Sequence, residues 1–391
     1  MTSRPSHVRH LTRRLTVLTV LGVLAPTLAG VLALAPSATA ANRTTAAAPR
    51  QVSIELPPNW QPEGIAAHGS RLYVGSLSTG GIFTTEATGP NGRVLSQGGP
   101  NRALTGLKVA GNRIYAAGAA GGVAYVFNRR TGADVGSPIV LANGVSTNNP
   151  SFINDVVVRR GSALFTDSSR QVLYQVSRRT LRATTLRITG DLQYTPDRDD
   201  FDGNGIVSAG PGAIMGQSTT GDLFTVTIQR NRAVTRKITL SGAATSLPTN
   251  DGLLREGRTL YVVQNQPARI AVVRLSRDLT RGRVTSFITN QDQPRNAQFV
   301  VPATIARAAG SLWVVNAKFG VANPEPYTVV QVTSHRTAQT GQAQVGSVPQ
   351  GGVPSGGGST AGFQNLGLLG TGGALILLSG ATLVVRRRQV S

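Results

Sequence analysis

The sequence predicts an all-β fold, a six-bladed β-propeller, and three observations carry the prediction. Short β-rich runs recur six times along the middle of the chain, and the copies are spaced at a propeller-blade period. Gly and Asn punctuate them, and no long segment of 3.6-residue periodicity exists to build a helical solenoid of similar period.

Each copy begins with a related pentad: PEGIA at Pro62, LTGLK at Leu104, INDVV at Ile153, GNGIV at Gly203, NDGLL at Asn250 and PATIA at Pro302. Ten or eleven residues after the second position of each pentad stands a large apolar residue inside a strand-like run. These residues are Tyr73, Tyr115, Phe165, Met215, Tyr261 and Trp313, at intervals of 42, 50, 50, 46 and 52 residues. A third β-rich run follows in every copy, from GGIFTT in the first to YTVVQVT in the last. Gln51 to Leu56 (QVSIEL) precedes the first copy and is expected to complete the last blade beside Tyr327 to Thr333, closing the ring without a free edge.

Innermost strands surround a propeller axis, so the second pentad positions form a ring: Glu63, Thr105, Asn154, Asn204, Asp251 and Ala303. A position kept for packing would repeat one residue type. This one diverges into oxygen donors, as a site for a hard cation requires. The stretch DFDGNGIV, Asp200 to Val207, also has the spacing of the start of an EF-hand loop. Pro211 stands where such a loop needs its Glu, so the ring reading is preferred, with Asp200 and Asp202 capping a loop.

Taken together, Glu in P-E-G, Asn in N-D, Asn in N-G and Asp in D-G-L, one per blade, resemble the SMP-30/gluconolactonase/luciferin-regenerating family over residues 51–335. The resemblance implies a divalent metal held by Glu63, Asn204 and Asp251, calcium first with manganese or zinc as alternatives. It further implies Asp251 as general base and Asn154 as a contact to substrate or water. There is a departure. Sugar-lactonase members carry Arg two residues before the Asn of N-D, where this chain has Phe152, and Val156 replaces the Gly that follows the motif.

Two functions therefore remain open. One is a metal-dependent hydrolase of a small lactone or ester. The other is a non-catalytic surface propeller whose structural metal supports a binding face. Redox chemistry would need His ligands, yet the chain has only His7, His10, His68 and His335, none in the ring. His68 reads as a solvent-facing turn residue and Asp167 as a turn former, while Asn316 and Lys318 are secondary candidates for ligand contact.

The remaining segments predict location. Residues 1–40 read as a signal peptide: Arg4, Arg9, Arg13 and Arg14, an apolar run from Leu15 to Leu34, and Ala38-Thr39-Ala40 for cleavage. Arg13-Arg14 leaves Sec and twin-arginine export both open, with Thr16 where twin-arginine signals carry Phe. After a linker, 41–50, and the propeller, 51–335, come a Gly/Ser/Pro-rich tether, 336–365, and an uncharged run, 366–385. That run is long enough for a transmembrane helix, and the basic tail 386–391 would hold its end in the cytoplasm. The expected protein is a monomer on the extracellular face of the cell membrane. Absence of Cys excludes disulfides and thiol chemistry. The net charge of +22 comes from 39 Lys and Arg, almost all Arg, scattered among few aromatics, a pattern that argues against nucleic-acid binding.

Overall fold

The computed structural model describes residues 52–89, 92–195 and 201–333. The expected signal peptide, tether, membrane helix and basic tail lie outside the described residues, and no helix within them is long and apolar enough to cross a membrane. The fold is a β-propeller, nearly all strand, with two single-turn 3-10 segments at Asn290–Asp292 and Arg295–Ala297.

The chain enters through β1 (Ser53–Glu55) and then builds antiparallel blades in order. The first holds β2 (Pro62–His68), β3 (Arg71–Ser76), β4 (Ile82–Glu86) and β5 (Arg93–Ser96). The second holds β6 (Leu107–Ala110), β7 (Arg113–Ala117), β8 (Val123–Asn128) and β9 (Ile139–Val140). The third is β10 (Ile153–Arg159), β11 (Ser162–Asp167), β12 (Val172–Ser177) and β13 (Ala183–Gly190). The fourth is β14 (Gly203–Ala209), β15 (Gly212–Gln217), β16 (Leu223–Gln229) and β17 (Arg232–Lys237). After a short β18 (Thr239–Gly242), the fifth contains β19 (Asn250–Glu256), β20 (Thr259–Gln264), β21 (Arg269–Leu275) and β22 (Arg281–Ile288). The sixth, β23 (Pro302–Ala308), β24 (Ser311–Asn316) and β25 (Thr328–Gln331), takes β1 as its fourth strand. Ser53 pairs with Val330 and Glu55 with Thr328, so the two ends of the described chain close one blade.

Alternate side chains of a strand face opposite sides of its blade, and both sides are covered by neighbouring blades. The core is accordingly split into six clusters, one per interface. This arrangement corrects the sequence alignment by one residue. Phe165 and Met215 pair with Val156 and Ile206, two places beyond the ring residue. In the first, fifth and sixth blades that partner is Val74, Val262 or Val314. Tyr73, Tyr115, Tyr261 and Trp313 stand one place earlier and point to the opposite face. Trp313 packs toward the first blade, with Ile65 and Val74, while Phe165 packs back toward the second, with Tyr115. A large residue serves on either face because both are buried, so the pattern of apolar residues alone could not fix the register.

In five blades the innermost strand carries a bulge over the second and third pentad positions, as between Pro62 and Ile65 or Gly203 and Ile206. A bulge frees two residues from the ladder and turns them toward the neighbouring blade. The third position is Gly64, Gly106, Gly205 or Gly252 in four blades because the next inner strand presses against it. A Cβ on Gly205 would sit 2.0 Å from the carbonyl oxygen of Asp251. In the other two blades Asp155 and Thr304 turn this contact into hydrogen bonds. Asp155 Oδ2 accepts from the Ile206 amide (2.9 Å), and Thr304 Oγ accepts from Ile65 (2.9 Å) and donates to the carbonyl of Glu63 (2.6 Å).

Gly205→Ala should therefore destabilise the fold by about 2–3 kcal/mol, as expected for overpacking. Gly210→Ala, where no atom lies within 4 Å of the added Cβ but φ is +58°, should cost about 1 kcal/mol. Chemical denaturation of the two variants measures the difference.

Candidate functional site

The bulges gather the ring positions at one end of the inner strands. Glu63 and Asp251 are 4 % exposed, Asn154 4 % and Asn204 6 %, so four polar side chains are buried there. Thr105 and Ala303 complete the circle without adding a free donor. Thr105 Oγ donates to the carbonyl of Ile153 (2.7 Å), and Ala303 is apolar.

What aims three of the four polar groups is a side chain fourteen residues further on, just past the second strand of the same blade; Glu63 has Leu77 there and no such partner. In the third blade Ser168 Oγ donates to the carbonyl of Gly203 in the fourth (2.8 Å). Its single proton is then committed, so it can only accept from Asn154, whose Nδ2 donates to it (2.9 Å). The amide of Asn154 is thereby fixed with Oδ1 pointing away from the clasp. The fourth blade repeats this: Ser218 Oγ donates to the carbonyl of Asn250, and Asn204 Nδ2 donates to Ser218 Oγ (3.0 Å). In the fifth blade Asn265 plays the same part through its amide group. Its Nδ2 donates to the carbonyl of Pro302 (2.7 Å) and to Asp251 Oδ2 (2.9 Å).

The result is a set of oxygens with nothing to accept. Glu63 Oε2, Asn154 Oδ1 and Asn204 Oδ1 are buried and have no hydrogen-bond partner. Orphaned buried acceptors are uncommon and call for an explanation such as an ion. The electrostatics point the same way. Burial, then the charges of Asp251 and Asp155, push the Glu63 carboxyl well above the usual range, with Lys108 opposing. Burial likewise raises Asp251 to about 7, with the Asn265 hydrogen bond opposing and Asp155 adding to the rise. Both oxygens of Asp155 are spent on amides, Oδ1 on Val156 (2.7 Å) and Oδ2 on Ile206 (2.9 Å), so its charge is structural.

Among the described residues no three His, Cys, Asp or Glu side chains gather as a metal cluster. The donors the ring offers are two carboxylates and two amide oxygens, a mixed set suited to a hard cation. The clasp residues Ser168, Ser218 and Asn265 were not singled out from the sequence. Their signal was present: FTDS, MGQS and VVQN occupy the same place in three aligned copies.

Other candidates are absorbed by the fold. Asp202 accepts from Gln217 Nε2 (2.7 Å), the Thr195 amide (2.7 Å) and Thr219 Oγ (2.5 Å), so it holds a loop as expected, while Asn204 belongs to the ring. Asp200 and His335 lie outside the described residues. Asp167 accepts the amides of Phe152, Ser169 and Arg170 and the Ser151 hydroxyl (2.6 Å), a buried turn former. His68 is exposed at the end of β2. Asn316 and Lys318 are not free for a ligand. Asn316 accepts from the Val300 amide and donates to the carbonyl of Gln298, and Lys318 Nζ donates to the carbonyls of Pro324 and Pro326. Phe152 meets Phe201 edge-on, ring centres 4.9 Å apart, so an aromatic pair stands just before the two ring Asn residues in the chain.

No protein-family model matches the sequence, and no curated protein matches it by sequence. Solved structures do resemble it. The major allergen Mala s 1 of Malassezia sympodialis superposes with a TM-score of 0.55 at 14% identity, over 73% of this chain and 96% of that one. A luciferin-regenerating enzyme gives 0.50 at 11%, over 73% and 95%. Virginiamycin B lyase of Staphylococcus aureus gives 0.46 at 12%, over 68% and 80%. These likenesses concern the propeller fold.

Two carboxylates with raised pKa values oppose folding once they ionise. Their folded values lie above the unfolded ones, so their contribution favours the native state at low pH and is lost as pH rises through the folded values, about 7 for Asp251. Without divalent ions, Glu63→Gln and Asp251→Asn should each raise the melting temperature relative to wild type near pH 8. At about pH 4, where the unfolded carboxyls also protonate, the gain should vanish. Calorimetry across the pH range in a chelator reads this out.

Proposed function

We propose that the ring binds a hard divalent cation, calcium first, and that the propeller is a metal-dependent hydrolase of small, weakly polar lactones or esters. Carrying the proposal is one observation: three of the ring positions each carry a buried, unpartnered oxygen, Glu63 Oε2, Asn154 Oδ1 and Asn204 Oδ1, and a fourth carries the buried carboxylate of Asp251. Two negative charges and two neutral oxygens suit a divalent ion with water completing its shell. When bound, such an ion supplies Lewis acidity that polarises an ester carbonyl.

The remaining roles belong to side chains. Asp251 keeps one oxygen on Asn265, which orients the carboxylate, and the carboxylate would accept a proton from water. Asn154, held by Ser168, orients water or substrate through Oδ1. Phe152, packed on Phe201, offers an apolar surface where sugar-lactonase relatives carry Arg, so aliphatic lactones should be preferred to sugar acids. The same substitution favours a second reading, a non-catalytic propeller with a structural metal that binds an apolar ligand. As to place, the proposal is export with retention at the membrane through residues 366–385, on the strength of the terminal sequence patterns.

Calcium or manganese at a hundredfold excess over Kd should stabilise the protein by about 2.7 kcal/mol. Glu63→Gln and Asp251→Asn should each abolish that stabilisation, and their failure to do so would overturn the metal site. In an aliphatic lactone series with calcium, manganese or zinc, Asp251→Asn should lower kcat by about 100- to 10,000-fold. Absence of turnover with every metal would leave the binding propeller. Cell fractionation should find the full chain with membranes, and deletion from Phe363 onward should release it to the medium.

A further inference from the structure

At the other end of the inner strands, a second polar site lies between the first two blades. β2 runs from Glu63 down to His68, and Arg71 opens the return strand β3. Arg93, at the start of β5, reaches the same end, as do Arg129 and Arg130 just after β8 of the second blade. With Tyr73 and Leu95 these four arginines line a pocket of about 230 Å³.

The pocket has an excess of positive charge that the protein does not neutralise. Glu86 takes Arg71 in an ion pair. The other ion pairs among the described residues join Arg102 to Asp134, Lys237 to Asp222 and Arg307 to Glu256, so none reaches Arg93, Arg129 or Arg130. Like charges gathered around one concavity repel unless an anion joins them. Part of the site is also held in place. Arg129 Nε donates to the carbonyl of Gly111 (2.9 Å) and Nη1 donates to Tyr73 Oη (3.3 Å). The phenol of Tyr73 accepts there, which leaves its own proton to donate. Tyr73 is 1 % exposed, so this donor is set in a nearly dry wall.

We propose that this pocket binds a small phosphate monoester. Guanidinium forks pair bidentately with phosphate oxygens, and several arginines from two blades can share one such group. Four arginines less one glutamate leave an excess of three positive charges, which suits a dianion better than a carboxylate or a phosphodiester. The volume accommodates a phosphate and a few further atoms, whereas a polymer would need an open groove.

Calorimetric titration of the full chain in a chelator tests the proposal, with inorganic phosphate and glycerol 3-phosphate as probes at fixed ionic strength. Both should bind with one-to-one stoichiometry, more tightly near pH 8 than near pH 5.5, because the second phosphate ionisation lies at about 6. Arg93→Ala and Arg130→Ala, both exposed, should each weaken binding about tenfold while circular dichroism stays unchanged. Asp251→Asn should bind phosphate like wild type, which separates this pocket from the ring. Dimethyl phosphate, a monoanion, should bind at least about tenfold more weakly. No saturable binding at about 10 mM of either probe would overturn the proposal. So would undiminished affinity in both arginine variants, or equal affinity for the diester.

Discussion

The structure turns on a backbone carbonyl. At the start of five of the inner strands a bulge leaves main-chain groups to be satisfied across a blade interface, because a buried, unpaired carbonyl is costly. In the third to fifth blades a Ser or Asn side chain meets that need, and the same atom sets the orientation of a ring residue. Structure and site are therefore one device. A side chain that joins two blades also decides that an amide oxygen, and not an amide nitrogen, faces the middle.

The second and sixth blades show what happens without it. There the position holds Ala119 or Ala317: the Ala119 amide donates to the carbonyl of Ile153 in the third blade, whereas the Ala317 amide donates to Val301 within its own blade, as the Ser168 amide does to Phe152. Neither blade contributes a free oxygen donor to the ring, since Thr105 is spent on a carbonyl and Ala303 has none to offer. Where the Ser or Asn clasp gives way to Ala, the ring is bland. Glu63 is the exception, since its blade has Leu77 at the equivalent place and no side-chain clasp; its carboxyl instead lies buried near two other acids.

Much of this was legible in the sequence because a repeat multiplies weak signals. Six pentads in register located the ring, and the alternation of β-rich runs located the blades, including closure by β1. The facing of Tyr73, Tyr115, Tyr261 and Trp313 was not legible. A strand buried on both sides tolerates bulk at either of two adjacent positions, so hydrophobicity loses its phase. Nor was the part played by Asn316 and Lys318, because their partners are main-chain carbonyls and amides, which leave no trace in residue type. The clasp residues had a trace, Ser, Ser and Asn in aligned places, but its meaning depends on a carbonyl in the next blade.

The outer strands divide the ring unequally. β13 lies parallel to β17, pairing Arg187 with Arg232, and β18 lies parallel to β22, pairing Thr239 with Arg281. The third, fourth and fifth blades are thus sewn together at the rim as well as at the hub, and no other rim pairing between blades exists among the described residues. Asn154, Asn204 and Asp251 all ride on this stiff arc, whereas Glu63 rides on the looser one. Local opening free energies follow such differences in tethering. Breathing of the propeller would then part Glu63 from the other three, so anything grasping all four oxygens works as a buckle between a rigid half and a yielding one.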